Sequence, residues 1–483
     1  MGEDTRNGLL LFTYTFGVGS LSMGHIFGST GSILGSVMLY IFSACNLHAS
    51  AVLCRCMAVV PTHVRTFGDL GFHVCGNVGR YIIVVSEALS CLTTPIAFLI
   101  LAGTELLPNI SAQFDTTQLT STQWIIITAV CMLPLVYIPT LKETAALCII
   151  GSISTLLTDT IALSVNLLDR PLTPRESQLS AANTFSAFGS IMFAFGSALL
   201  IPPLYRQCSL EGSQQLVSTV STTLIYVTVL YMFIGILSYA QFGCMAPATL
   251  VANMPNGPWK ILANGSMLVH IAIAYPVIMS PTLFVLERRI FGKDGDADIL
   301  KEKLLRRDGN PTSSAAVHLV DSPKRDDDHQ YDSVDASEAQ ESFVHDVLHD
   351  ALSFTRTENV CRMVLRTLIV GGQCFFAIML QTSFSDILTL IGATTVTLPC
   401  LIMPCVCFLG LFPSDGTCLG CAARLFSYFV IVLGAVLGIY STIYAVHNIQ
   451  DNWATYKMFQ PYHPLPYVNG RVRYPSCRVG EQN

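Results

Sequence analysis

NGLLLFTYTFGVGSLSMGHIFGSTGSILGSVMLYIFSACNLHASAVLC, residues Asn7–Cys54, runs for 48 residues without one Asp, Glu, Lys or Arg. A helix needs roughly 20 apolar residues to cross the hydrocarbon core of a bilayer, so this run has room for two crossings and the turn between them. A second uncharged run, Gly212–Trp259, is equally long. Over all 483 residues 52% are hydrophobic and 12% charged, against about 25% charged in a soluble domain. The fold class is therefore all-α integral membrane, with the lipid bilayer as first partner. The first apolar run continues past any small-residue cut site and is expected to stay in the mature chain. The start Met1-Gly2-Glu3-Asp4-Thr5-Arg6 lacks the Ser or Thr of a myristoylation signal, so the spans themselves are the anchor.

Apolar windows place about eleven transmembrane helices, near 8–28, 31–57, 80–107, 122–140, 144–168, 183–205, 216–241, 259–286, 360–382, 385–411 and 423–447. An odd count puts the termini on opposite faces. A cytoplasmic N-terminus gathers Arg55, Arg65, Arg80, Lys142, Arg206, Arg288, Arg289, Arg362 and Arg366 inside, as the positive-inside rule requires. Arg170 and Arg175, and Lys457, Arg471, Arg473 and Arg478 in the tail, run against it, but long loops and tails weigh less. Asn109-Ile110-Ser111 is a glycosylation sequon in a predicted outer loop, which makes Asn109 a glycosylation candidate.

Four regions follow: helices one to eight over 1–287, a charged loop over 288–357, helices nine to eleven over 358–450, and a polar tail over 451–483 with no assignable fold. The loop carries 15 of the 32 acidic and 10 of the 26 basic side chains, and reads as a disordered cytoplasmic insert. Its basic start, Arg288 to Arg307, adjoins the membrane and suits anionic head groups, and Phe343 to Leu352 has the spacing of an interfacial helix. Most of the 17 cysteines, such as Cys91, Cys131, Cys148 and Cys405, lie in apolar runs and read as small buried hydrophobes. Only Cys244 and Cys477 fall in predicted outer segments where an oxidised pair is open to them, and nothing in the sequence brings them together. The pair Cys418 and Cys421 has no second ligand pair after it, so no metal site is read.

A polar substrate inside a membrane must find partners, and the cheapest source is backbone freed by breaking a helix. Gly17-Val18-Gly19-Ser20-Leu21 puts two glycines in the middle of the first span, where each costs a helix about 1 kcal/mol relative to Ala. Freed amides suit a carboxylate and freed carbonyls an ammonium or a cation. Gly17, Gly19, Gly24, Gly28, Gly31 and Gly35 equally well let helices pack closely. The sixth span repeats the device: Ala187-Phe188-Gly189 and Phe193-Ala194-Phe195-Gly196-Ser197 interrupt an uncharged run that ends at Pro202-Pro203. Breaks five spans apart are the pattern of inverted repeats around a midplane site, and the residues nearest that site are Gly17, Val18, Gly19, Ser20, Leu21, Phe195, Gly196 and Ser197.

With these pieces the chain resembles the amino acid/auxin permease family, the transmembrane amino acid transporter domain of the LeuT-type superfamily. Gly17 to Leu21, Gly189 to Gly196, Tyr275-Pro276, Arg366-Thr367-Leu368 and Asp386-Ile387-Leu388-Thr389-Leu390-Ile391-Gly392-Ala393 carry the resemblance, in order, over nearly the whole chain. It implies eleven helices, a cytoplasmic N-terminus, a 5+5 inverted repeat with helices 1 and 6 broken, and transport of amino acids coupled to protons or sodium. The host membrane is expected to be plasma or vacuolar/lysosomal. The family's proline shortly after the first break is replaced by Gly24 followed by His25, and only about seven residues precede the first span.

Ionisable groups inside a membrane are functional candidates because a charge there costs several kcal/mol unless paired or wet. Glu87 in the third span and Asp159 in the fifth are the clearest coupling-ion candidates, each with the alternative of a structural hydrogen bond to a neighbouring helix. His25 and His270 titrate nearer neutrality. In the superfamily the eighth span adds hydroxyls to a cation site opposite the first break, which draws Tyr275, Ser280 and Thr282 into the candidate set. No Gly-x-Ser-x-Gly elbow, His-Glu-x-x-His motif or paired intramembrane aspartates occurs, so an enzyme is not expected. No cofactor other than the coupling ion, no nucleic acid and no protein partner is read. The alternative to transport is an amino-acid-sensing receptor that signals through the 288–357 loop.

Overall fold

The computed structural model describes residues 3–61, 64, 66–114, 119–137, 144–169, 176–208, 210–291, 355–413 and 418–455, with 467, 468, 471, 472 and 477 of the tail. Among them, eight helices are long and apolar enough to cross a membrane, and two bent pairs, one near the N-terminus and Phe384–Val396 with Leu398–Leu411, each have the length of a further span. Helix Ser121–Tyr137 is apolar but only 17 residues long. Each of the eleven apolar windows coincides with one of these elements.

The burial pattern is inside-out relative to a soluble protein. Val229, Phe233 and Ile236 on one helix and Leu425, Val432, Ile439 and Ile443 on another are exposed, while Asn46, Asp159, Asn166, Gln241, Asn264, His270 and Gln373 are buried. Apolar faces of this size need lipid against them. Buried side-chain amides and hydroxyls then tie helix to helix, as when the Tyr275 hydroxyl donates to Gln373 at 2.6 Å and Gln373 donates to the Leu92 carbonyl at 2.8 Å.

The second uncharged run holds one crossing instead of two. Helix Leu210–Phe242 uses most of it, and the connector from Gly243 to Gly257 takes the rest with Cys244, Thr249, Leu250, Val251 and Met254 buried. Its lack of charge is that of a loop folded into protein. Such a loop must satisfy its backbone, and Leu250 does so by donating its N–H to the Leu21 carbonyl at 3.1 Å and accepting the Asn166 amide at 3.1 Å.

The crossing arm of the third span starts after Gly76, close to the expected residue 80, and a shorter helical arm from Phe67 precedes it. Together the arms run Phe67–Leu101, opened by a capping box between Thr66 and Asp69, and fold over at Gly76, whose φ of 64° favours glycine. Gly71 allows the two arms to touch: a Cβ there would sit 2.8 Å from the Gly79 carbonyl oxygen. Beyond Leu101 a π-helical turn, Ala102–Leu106, continues into Leu107–Ser111, with Pro108 tolerated in its first turn. Asn109, expected in an outer loop, therefore lies half-buried in a helix, its amide 3.5 Å from the Asn264 side-chain oxygen. Cys131 is exposed on Ser121–Tyr137, not buried, whereas Cys91, Cys148 and Cys405 are buried.

The tail has more structure than its composition suggested. Tyr467–Val468 and Arg471–Val472 pair antiparallel, Cys477 forms a β-bridge with Ser177, and Cys477 is disulfide-bonded to Cys244 across 233 residues. Protease digestion without reductant is expected to yield one cross-linked species carrying both cysteines, and reduction to separate it. Two free peptides without reductant would contradict the bond.

A second compact unit spans Ser280–Leu368. In it Glu287, 1% exposed, accepts from Arg362 at 2.8 Å and from Arg366 at 2.6 and 3.1 Å. The disorder expected of the 288–357 loop, its contacts with lipid and the interfacial helix from Phe343 lie outside the described residues.

Candidate functional site

The first span stops being helical where its glycines begin. Helix Glu3–Thr15 ends, Gly17 turns to φ −149° and ψ −133°, and the chain resumes as Val18–Leu21 and, past Ser22, Met23–Thr30. The axis bends by 47°. Serine side chains make good some of the lost helical bonds: Ser20 donates to the Gly17 carbonyl at 2.9 Å and Ser22 to that of Gly19 at 2.8 Å. In the sixth span, helix Ala181–Ala194 ends at Phe195, where φ is −107° and ψ 25°, and a 3₁₀ turn, Gly196–Leu200, leads into Ile201–Gln207.

The two breaks touch. A Cβ on Gly19 would lie 2.8 Å from the Ala194 Cβ and 2.9 Å from its Cα, so only glycine lets the chains come this close. Gly17 faces the ring of His270, whose Nε2 would be 2.7 Å from an added Cβ. On its other side His270 meets the Thr155 hydroxyl at 2.8 Å and the Gly151 carbonyl at 3.2 Å. Both readings of the first-span glycines are thus present at once: the helix breaks at Gly17, and Gly19 and Gly24 pack, the latter against Ser238, 2.9 Å from an added Cβ. Gly196 is roomier, since a Cβ there would meet Val396 at an ordinary 3.6 Å.

Tyr231, which the sequence reading passed over, sits where the breaks meet. Its hydroxyl donates to the Thr15 carbonyl at 2.6 Å and lies 3.2 Å from that of Ala194. Its ring stacks on Phe16 at 5.5 Å and meets Phe195 edge-on at 5.5 Å. The only outward sign was a tyrosine in the uncharged run of the seventh span, and tyrosines there are too common to single one out.

Asp159 belongs to this group. It is 3% exposed. It interacts electrostatically with Tyr231 and with the Ser20 hydroxyl, a rotor shared between its carboxyl and the Gly17 carbonyl. Val18, Leu21 and Ser197 are buried around the breaks. Glu87 is half-buried on its helix and within electrostatic range of Tyr14, two residues before Phe16. Tyr275 spends its hydroxyl on Gln373. Ser280 and Thr282 fall in the Ser280–Leu368 unit, Ser280 exposed and Thr282 half-buried. Another buried acid that sequence reasoning missed is Glu105 of the π turn, which accepts from the Thr249 hydroxyl of the connector.

The family model described as transmembrane amino acid transporter protein matches residues 5–447, which include both broken spans. The chain belongs to this family. Among curated relatives, it is 24% identical over 298 residues to the amino acid transporter AVT3B of Arabidopsis thaliana, covering 58% of this chain and 70% of that one. It is 22% identical over 324 residues to the amino acid permease 2 of the same plant, with 61% and 65% covered. The vacuolar amino acid transporter 3 of Schizosaccharomyces pombe is 22% identical over 296 residues, with 59% and 43% covered.

Proposed function

We propose that this chain moves amino acids across a membrane as a secondary active transporter, binding them between the broken first and sixth spans and exposing them to either face in turn. The observation that carries the reading is the contact of two interrupted helices at Gly19 and Ala194, bridged by one buried tyrosine and flanked by the buried acid Asp159. Half-helix ends offer a zwitterion what it needs: N–H groups for its carboxylate and carbonyls for its ammonium. Family membership and relatives named as amino acid transporters support the substrate class. The coupling ion is a proton or sodium. Glu87 and Asp159 are the carboxyls placed to take a proton, and Ser280 and Thr282 remain the hydroxyls for a cation.

The test is accumulation of labelled amino acids by proteoliposomes holding the purified protein, under an imposed proton gradient and then a sodium gradient. Uptake that follows one gradient is expected. Binding without accumulation under either would reject transport in favour of a receptor. Gly196→Ala is expected to keep the fold, because Val396 is 3.6 Å from the added carbon, and to alter the apparent KM, because the methyl enters the turn of the sixth break.

A further inference from the structure

Helix Met23–Thr30, the half of the first span beyond its break, ends on carbonyls that its own turns do not satisfy. Two of them take donors from elsewhere in the chain. The Ser177 hydroxyl donates to the Gly28 carbonyl at 2.7 Å, and the Asn183 amide donates to that of Ser29 at 3.0 Å. Gly28 is also closed in by the connector that follows the seventh span: an added Cβ would stand 2.6 Å from the Ala246 Cβ and 2.9 Å from the Gly243 carbonyl oxygen. The end of the helix is thus held between two segments, one around Ser177 and one around Cys244. A single residue joins them. Cys477 forms a β-bridge with Ser177 and a disulfide with Cys244, and is itself 0% exposed. The start of the helix is pinned to the same connector, where the Leu250 N–H donates to the Leu21 carbonyl at 3.1 Å.

We propose that Cys477 is the buckle of a strap: by tying the Ser177 segment to the connector, it holds the second half of the first span in place and restrains the site from opening toward the face on which the disulfide lies. This rests on the transport reading above, which requires the site to open to either face in turn. For that opening the helix must leave Ser177, Asn183 and Ala246, and the covalent link keeps two of these three partners from parting around it.

The experiment is hydrogen–deuterium exchange, read by mass spectrometry on the full chain in nanodiscs. In Cys477→Ser the amides of Met23–Thr30 exchange about tenfold faster than in wild type, while those of Glu3–Thr15, before the break, keep their rate. Cys244→Ser gives the same acceleration, and the double substitution adds nothing, because all three variants lack one and the same bond. Ser177→Ala keeps the disulfide and loses the contact with Gly28, and it speeds the same amides by roughly fivefold, the worth of one hydrogen bond. Melting is not the readout, since losing any disulfide lowers it through the unfolded chain. Wild-type rates over Met23–Thr30 in both cysteine variants overturn the strap, as does equal acceleration on both sides of the break. If wild-type proteoliposomes accumulate no amino acid under either gradient, the transport reading fails by itself, and the exchange rates still decide whether the strap holds the helix. Should Cys477→Ser not fold, Cys244→Ser and Ser177→Ala decide.

Discussion

Leucine in place of Gly19 abolishes uptake and lowers the unfolding midpoint of the purified protein, while the chain still inserts into membranes. The first carbon of any side chain would stand 2.8 Å from the Ala194 Cβ and 2.9 Å from its Cα. A backbone atom cannot swing away as a flexible side chain would, so the two broken helices must separate. Overpacking of this kind costs about 1–3 kcal/mol even where neighbours can yield, and here the separation also pulls Tyr231 away from one of its two carbonyls. Insertion depends on the hydrophobic length of the spans, which the substitution leaves intact. A detergent melting curve beside a proteoliposome assay reads both effects. A Gly19→Leu protein that melts and transports like wild type would mean the breaks do not meet as described.

Glu287→Gln is expected to destabilise the protein by about 3–5 kcal/mol, the cost of leaving buried charge without its counter-charge. Glu287 is 1% exposed and holds two guanidinium groups, those of Arg362 and Arg366, whose side chains are 12% and 8% exposed. The amide keeps the shape of the carboxylate but not its charge, and two cations then face each other across it. Arg362→Ala is the informative comparison. It leaves Glu287 with the two-pronged Arg366 contact and should cost clearly less. Equal melting of both variants would show that the pairing, and not the uncompensated charge, sets the stability.

Hydrophobic length made most of the helices legible in the sequence, because a crossing must be long, apolar and nearly free of charge. The length of the uncharged run alone overstated the second run, whereas the windows near 216–241 and 259–286 left Gly243 to Gly257 as a connector, uncharged because it is buried in protein. Hydrophobic length left out the arm Phe67–Cys75, which doubles back at Gly76 ahead of the third span, since nothing in composition marks such a fold. At the site, Gly17 and Gly19 were legible because a break and a close approach both demand glycine. Asp159 was legible because an acid in an apolar run is rare. Tyr231, Thr249 and Glu105 were not, for their importance lies in which helix they face, and one chain read alone carries no record of that. Ser280 and Thr282 were drawn in from the family's pattern, and they lie in the unit Ser280–Leu368, the first exposed and the second half-buried.

The bond between Cys244 and Cys477 also constrains topology. Two residues joined covalently must lie on one face of the membrane, so the chain between them crosses an even number of times. Among the described residues, helices Pro258–Ile290, Arg356–Met379 and Cys418–Thr455 supply three passages, and the bent pair from Phe384 to Leu411, taken as one span, makes the number even. This parity is blind to the short helix Ser121–Tyr137, which precedes both cysteines. Any scheme that drops or adds a single passage after residue 244 would leave the two sulfurs in different compartments.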